Sequence, residues 1–223
     1  MRYEIRSVKG RAREANHDCA GAVFDGVRGL FVVVDGTSKP GSGQLAYGFV
    51  QAVMEACQAR FSQGAEDTIH SGVQQQLRSV LTDLHVPLFA KQTGTTSYLV
   101  GVASHGQLTL AYEGGCSCGF ASAEGGIEWF TPPHCKANWR RDRSHRELAL
   151  DPARHLITRC YRADRSPDPD FVFRSVAAGE RLVFATDGFW AELTDARQGD
   201  VLAAPAIEIN DVDDDVTWID VKL

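Results

Sequence analysis

The sequence predicts an α+β fold in which antiparallel sheets are covered by helices. Strand-like and helix-like segments come in blocks along the chain instead of alternating singly, which is typical of this class. Apolar runs bounded by turn-forming residues predict hairpins, and apolar residues at every fourth position predict two successive helices. The 223 residues are enough to bury one sizeable core, so we expect a single domain over residues 1–223.

The strands are predicted from short apolar runs, the first two of which are separated by the turn-forming pair Asp25-Gly26. The predicted strands are Ala20 to Phe24, Leu30 to Val34, Thr95 to Ala103, Gln107 to Tyr112, Cys118 to Ala121, Ile127 to Phe130, Arg181 to Thr186 and Val216 to Val221.

The helices are predicted from a helical apolar spacing over residues 45–61 and again over residues 69–84. Asp67 or Thr68 can cap the second helix, and we expect Pro87 to help end it. Two such helices in succession predict an antiparallel pair. A further helix is expected after the strand that ends near residue 186. Residues 131–170 are rich in Pro, Arg and Asp, which predicts loops over the sheet edge with one helical stretch near residues 152–160.

Composition limits the classes of partner. The net charge is −6, whereas a protein that binds nucleic acid usually carries a basic surface, so we expect no nucleic-acid partner. No stretch approaches the ~20 apolar residues that span a bilayer, and residues 1–10 lack the apolar core of a signal peptide. We therefore expect a cytoplasmic protein with no membrane partner, and a monomer.

Six cysteines without a signal peptide indicate reduced thiols more than a disulfide framework. A zinc site is the alternative, because Cys116 and Cys118 could join His134 and Cys135. Their spacing is poor for zinc, since structural sites usually separate paired cysteines by two or more residues.

Two apolar runs end in an acidic residue followed by glycine, at Asp35-Gly36 and at Asp187-Gly188. A carboxylate at a strand end stands on a rigid element at the sheet rim, and two such ends can share a cation. Taken singly, each Asp-Gly pair could be an ordinary turn.

Two further acidic segments complete the pattern. Asp213, Asp214 and Asp215 come just before the last strand; their mutual repulsion indicates either a solvated loop or a metal site. Asp18 follows Arg13 at a distance where the planar guanidinium could clamp a phosphate beside the carboxylates.

In this order, six segments resemble the motifs of the type 2C metal-dependent serine/threonine phosphatases, and the resemblance covers nearly the whole chain. Gly10 to Asp18 resembles the family's G-x-x-R-x-x-N-[EQ]-D, and Val34 to Gly36 resembles its first D-G. The other four are Thr93 to Thr96 for G-T-T, Leu156 to Arg159 for L-T-R, Phe184 to Trp190 for S-D-G-[LF]-W, and Asp213 to Thr217 for D-D-N-[IV]-[ST].

The resemblance implies a four-layer α-β-β-α sandwich, with two antiparallel sheets flanked by helix pairs and two Mg²⁺ or Mn²⁺ ions at one end. It implies hydrolysis of phosphoserine and phosphothreonine on phosphorylated protein substrates by metal-activated water. Hard carboxylate oxygens favour these ions independently. The implied metal ligands are Asp35, Gly36, Asp187, Asp214 and His17, and the implied catalytic residues are Arg13 and Asp18.

Three departures from the motifs keep a second hypothesis open. His17 replaces a metal-contacting Glu or Gln, and could ligate, hydrogen-bond a bound water or do neither. Thr37 to Pro40 replace a glycine-rich run, so no imidazole there can protonate the leaving group, and Gly115 stands where the family has a metal-supporting Asp. The alternative is a catalytically impaired module that binds a phosphorylated or kinase partner.

Overall fold

The strands form two stacked sheets in the computed structural model, which describes residues 1–63, 70–204 and 208–223. The strands are β1 (Arg2–Val8), β2 (Asp18–Phe24), β3 (Arg28–Gly36), β4 (Thr95–Ser104), β5 (Gln107–Glu113), β6 (Ser117–Ala121), β7 (Ile127–Trp129), β8 (Tyr161–Arg162), β9 (Asp170–Ser175), β10 (Arg181–Ala185) and β11 (Val216–Lys222). The helices are α1 (Ser42–Gln63), α2 (His70–Phe89), α3 (His145–Ala149) and α4 (Asp195–Ala203), with a π-helix at Gly188–Glu192 and 3₁₀ turns at Lys136–Asn138 and Pro152–His155.

Two antiparallel sheets form the centre of the fold. One has the strand order β1-β11-β10-β6-β7, and the other has the order β2-β3-β4-β5-β9, with the short β8 paired to β4. Their facing surfaces share one apolar cluster, in which the rings of Phe31 and Phe184 pack with centroids 5.0 Å apart. Alternating strand residues therefore point into a common core between the sheets.

Helices cover the outer face of each sheet. α1 and α2 pack on the β2–β9 sheet through a cluster that includes Phe49, Leu77 and Leu81. The π-helix and α4 pack on the other sheet, where Phe189 meets Trp218. The predicted α-β-β-α arrangement is confirmed.

Some predicted boundaries need correction. Pro87 lies inside α2, which ends two residues later, so this proline does not stop the helix. The helical stretch expected near residues 152–160 is limited to the 3₁₀ turn Pro152–His155, and α3 was not predicted. The expected start of the second helix at residues 67–69 lies outside the described residues.

The cysteines form no metal site in the described part of the chain. All six are free, and Cys116 and Cys118 are buried in the core between the sheets. Cys135 belongs to a separate apolar cluster with Leu148 and Trp190. These positions do not support the zinc interpretation.

Of the helices that the structure describes, none is long and apolar enough to cross a membrane.

Candidate metal centre

One end of the stacked sheets gathers the acidic residues singled out in the sequence. Asp18 begins β2 and lies opposite Asp35 near the end of β3, because the two strands run antiparallel in that register. Asp187 follows β10, and Asp215 precedes the antiparallel β11 beside it. Strand direction therefore brings four chain segments to one rim.

Hydrogen bonds tie the two sheets together at this rim. The Thr186 hydroxyl donates to Oδ2 of Asp18 at 2.8 Å. The carboxylate of Asp215 accepts from the backbone N–H groups of Gly10 (2.9 Å) and His17 (2.8 Å). The loop before β2 is thereby fixed against the start of β11.

Burial, and then the charges of neighbouring carboxylates, disfavour the ionised form of these aspartates. Burial raises the pKa of Asp187 to about 6, and the neighbouring charge of Asp214 adds to the rise despite Arg154. Burial also raises the pKa of Asp35 well above its usual value, and the charges of Asp187, Asp18 and Asp214 follow as further causes. Asp18 shifts in the same direction, again through burial first. A divalent cation held among hard carboxylate oxygens would relieve this repulsion, so the donor set fits Mg²⁺ or Mn²⁺.

Arg13 lies beside the carboxylates, as the sequence predicts. Its Nε and Nη2 both donate to Oδ1 of Asp214, at 2.8 and 2.5 Å, and its Nη1 donates to the Ser38 hydroxyl at 2.7 Å. The side chain is 31% exposed, so its guanidinium is open to an incoming anion. Its contact with phosphate stays a prediction.

Arg154 and Glu192 hold the candidate metal ligands Asp187 and Asp214 in position, although no sequence pattern predicts this role. Arg154 is 8% exposed, and its two terminal nitrogens lie 3.5 Å from Oδ2 of Asp187 and 3.6 Å from Oε1 of Glu192. Oε2 of Glu192 accepts from the backbone N–H groups of Asp213 (2.8 Å) and Asp214 (3.1 Å). Glu192 therefore fixes the loop that carries Asp214. Neither residue follows a recognisable pattern, because their roles arise from packing of distant segments.

His155 was also missed, although it directly precedes the Leu156-to-Arg159 motif. Potential ligand atoms of His155, Asp187 and Asp214 all lie within 4.8 Å of one another, the one such group of three found in the described residues. Partial burial, and then the charge of Arg154, lower the pKa of His155. A lowered pKa favours the neutral imidazole, which is the form that binds metals.

The structure places His17 and Gly36 next to each other. The Gly36 N–H donates to the His17 carbonyl at 3.1 Å, and a Cβ at Gly36 would lie only 2.6 Å from that oxygen. The His17 ring packs against Gly43, and its buried Nδ1 has no hydrogen-bond partner among the described residues. Metal ligation by His17 and by the Gly36 carbonyl stays a prediction.

No protein-family model and no curated protein matches the sequence. By fold, the chain resembles a serine/threonine phosphatase of S. agalactiae, with a TM-score of 0.75, 17% identity and complete coverage of both chains. It resembles the PPM Ser-Thr phosphatase MsPP of Mycobacterium smegmatis, with a TM-score of 0.73, 17% identity and coverage of 100% of this chain and 98% of the other.

A third structure is the catalytic domain of the serine threonine protein phosphatase PstP in complex with two manganese ions. Its TM-score is 0.68 at 18% identity, with 98% of this chain and 96% of that chain covered. The chain has the PPM phosphatase fold. The fold implied by the type 2C motifs is thus confirmed, and in this PPM fold the acidic rim lies at the ends of both sheets.

Proposed function

We propose that the protein is a metal-dependent phosphatase that hydrolyses phosphoserine and phosphothreonine esters on proteins. The observation that carries the proposal is the convergence of Asp18, Asp35, Asp187 and Asp214 at one end of a PPM fold, with the pKa of the first three raised. Structures of similar fold are described as serine/threonine phosphatases, and one holds two manganese ions.

The carboxylates of Asp35, Asp187 and Asp214, with the carbonyl of Gly36, would hold two Mg²⁺ or Mn²⁺ ions. When bound, such ions acidify water and stabilise negative charge on phosphoryl oxygens. Burial helps, because a low local dielectric strengthens the attraction between cation and carboxylate. Glu192 and Arg154 keep Asp214 and Asp187 in place, so ligands are oriented before an ion arrives.

Protein groups supply substrate binding and orientation. Arg13 can exchange one of its contacts with Asp214 for a phosphate oxygen, because a guanidinium presents several donors in a plane. Asp18 is fixed by the Thr186 hydroxyl, and can accept a hydrogen bond from the attacking water. Together these residues align water and phosphorus, which is a large part of catalysis in phosphoryl transfer.

A catalytically impaired binding module is the second candidate, and Gly115 is the observation that favours it. Residue 115 lies beside the site, because a Cβ there would be 3.7 Å from the Cβ of Asp187. Since this residue is glycine, the site lacks a carboxylate at a position where the motif of the phosphatases has one. Retention of the other carboxylates favours the enzyme.

Hydrolysis of p-nitrophenyl phosphate and of a phosphothreonine peptide tests the proposal, each with Mn²⁺, Mg²⁺ or EDTA. We expect activity that requires the ion, and a loss of at least about 100-fold in Asp187→Asn, because the substitution removes a ligand charge. Asp200→Asn, at an exposed site on α4, is the matched control.

Undiminished hydrolysis after exhaustive chelation would refute metal dependence. Phosphopeptide binding without turnover in any metal would instead support the binding module.

A further inference from the structure

One 3₁₀ turn delivers two side chains to the metal centre. The turn Pro152–His155 starts after Asp151, whose carboxylate accepts a backbone N–H of the turn at 2.8 Å and Nη1 of Arg143 at 2.6 Å. Just beyond the turn, the Leu156 carbonyl accepts from the N–H of Lys136 at 2.8 Å. Both ends of the turn are thus fixed to the rest of the fold.

Within this turn, Arg154 and His155 reach the same carboxylates. Arg154 is buried against Asp187, which anchors the turn at the site. His155 is exposed on its outer side, and its ligand nitrogen lies within 4.8 Å of ligand atoms of both Asp187 and Asp214. Its ring makes no hydrogen bond with any residue in the described ranges, so no protein group competes for its nitrogens.

A nitrogen ligand changes which ion a carboxylate site prefers. Mg²⁺ dehydrates reluctantly and takes oxygen ligands and water, whereas imidazole suits first-row transition ions such as Fe²⁺ and Co²⁺. We propose that His155 is a nitrogen ligand of the metal centre, and that the site therefore discriminates in favour of such transition ions against Mg²⁺. The inference rests on the proposed function, because it requires that these carboxylates hold divalent ions.

The other histidine at this rim does not offer the same arrangement. The His17 ring packs against Gly43 at the start of α1, and it is not part of the cluster formed by His155, Asp187 and Asp214. The ring nitrogen that sets the preference for transition ions is therefore that of His155.

The test is titration calorimetry of the metal-free protein with Co²⁺ and with Mg²⁺, together with the visible absorption spectrum of bound Co²⁺. Wild type is compared with His155→Asn, which replaces the imidazole by a shorter oxygen ligand. We expect Co²⁺ affinity to fall about tenfold or more while Mg²⁺ affinity changes less than about threefold. The Co²⁺ spectrum should change as nitrogen leaves the coordination sphere.

His105→Asn is the matched control. His105 is exposed in the β4–β5 turn at the far end of the sheet, with a φ of 51° that Asn tolerates, and it should behave as wild type. Thermal unfolding of each variant confirms that it is folded, and His155→Ala, which should lose Co²⁺ affinity at least as much, serves as a second variant.

Equal Co²⁺-to-Mg²⁺ affinity ratios and identical Co²⁺ spectra in wild type and both His155 variants would overturn the inference while leaving the metal centre intact. Failure of wild type to bind any divalent ion would overturn the proposed function as well, so the two failures are distinguishable.

Discussion

The carboxylate at the start of β9 is matched by arginines, whereas those at the metal centre outnumber the arginines beside them. Asp170 accepts from Arg159 at 2.7 Å and from Arg141, and lies 3.2 Å from Nε2 of His134. At the metal centre, two of the four carboxylates pair with an arginine in the described part of the chain: Asp214 with Arg13, and Asp187 with Arg154 at 3.5 Å. Both groups are partly or fully removed from water, so their charges must be balanced locally.

The pKa values of two aspartates show the difference. Burial alone would raise the pKa of Asp170, but hydrogen bonds from Arg159 and Arg141 outweigh it and bring the value to about 2. Burial and Asp214 raise the pKa of Asp187 to about 6. Arg141 and Arg159 balance the negative charge of Asp170, and their hydrogen bonds join the loops of residues 131–170 to the sheet. The metal centre keeps an excess of negative charge that a cation can balance.

The largest expected effect on stability is a gain from Asp187→Asn in the metal-free protein. At pH 7, removing a charge that burial and then Asp214 disfavour should raise the free energy of unfolding by roughly 3 kcal/mol, because one pKa unit corresponds to ~1.4 kcal/mol. For a chain of this size, Tm rises by about 6–12 °C. Calorimetric melting in EDTA measures this, with Asp200→Asn as the control. A lower Tm in Asp187→Asn would show that the charge of Asp187 does not destabilise the metal-free protein.

The same change at Asp170 should have the opposite sign. Asp170→Asn removes a carboxylate that its arginines hold in the charged form, so the free energy of unfolding should fall by roughly 2 kcal/mol. We expect Tm to drop by about 4–8 °C in the same melting experiment. Asp142→Asn, at an exposed position next to Arg141, should change little. A Tm that is unaffected by Asp170→Asn would mean that the arginine network adds no stability.

The two clusters also predict opposite slopes of stability with pH. Between pH ~4 and ~6 the native state of the metal-free protein binds more protons at Asp187 than the unfolded state, so the contribution of Asp187 to stability falls as pH rises. The stability from Asp170 is present above pH ~4 and is lost as pH falls toward 2. The lowered pKa values of the buried His134 and His145 favour the opposite slope over this range. The contribution of Asp187 is therefore measured as a difference: in EDTA, Asp187→Asn should gain about 1–2 kcal/mol of unfolding free energy relative to wild type from pH 5 to pH 7, measured by urea unfolding.

Saturating Mn²⁺ should reverse this difference between the two proteins, because the ion competes with protons for the wild-type carboxylates. A stability difference between wild type and Asp187→Asn that is the same at pH 5 and pH 7 in EDTA would contradict the prediction.

The sequence predicts the part of the site that lies on regular elements. Asp35 and Asp187 each follow a β-rich apolar run, so their positions at strand ends are readable from pattern alone. β1 and β9 escape prediction because they are edge strands with charged residues on exposed faces. His155, Arg154 and Glu192 escape it because their positions come from tertiary packing of the 3₁₀ turn and the π-helix, which no periodicity encodes.

The smallest expected effect, and the finest test of charge balance, comes from Gly115. The indole N–H of Trp190 donates a hydrogen bond to the Gly115 carbonyl at 2.9 Å, which fixes the backbone at this residue. An added Cβ would make ordinary contacts, at 3.6 Å to Ile157 and 3.7 Å to Asp187. We compare Gly115→Asp with Gly115→Asn, since the two side chains share shape and differ in charge.

In EDTA, Gly115→Asp should be less stable than Gly115→Asn by about 1 kcal/mol, because the new carboxylate adds to a negative cluster at short range. Mn²⁺ should reverse the order, since an additional anionic oxygen strengthens cation binding, and a ligand that binds only the native state raises Tm. Melting curves of both variants with and without Mn²⁺ measure this. Identical curves in both conditions would mean that position 115 lies outside the field of the metal centre, and that the missing carboxylate there has no consequence for the cation.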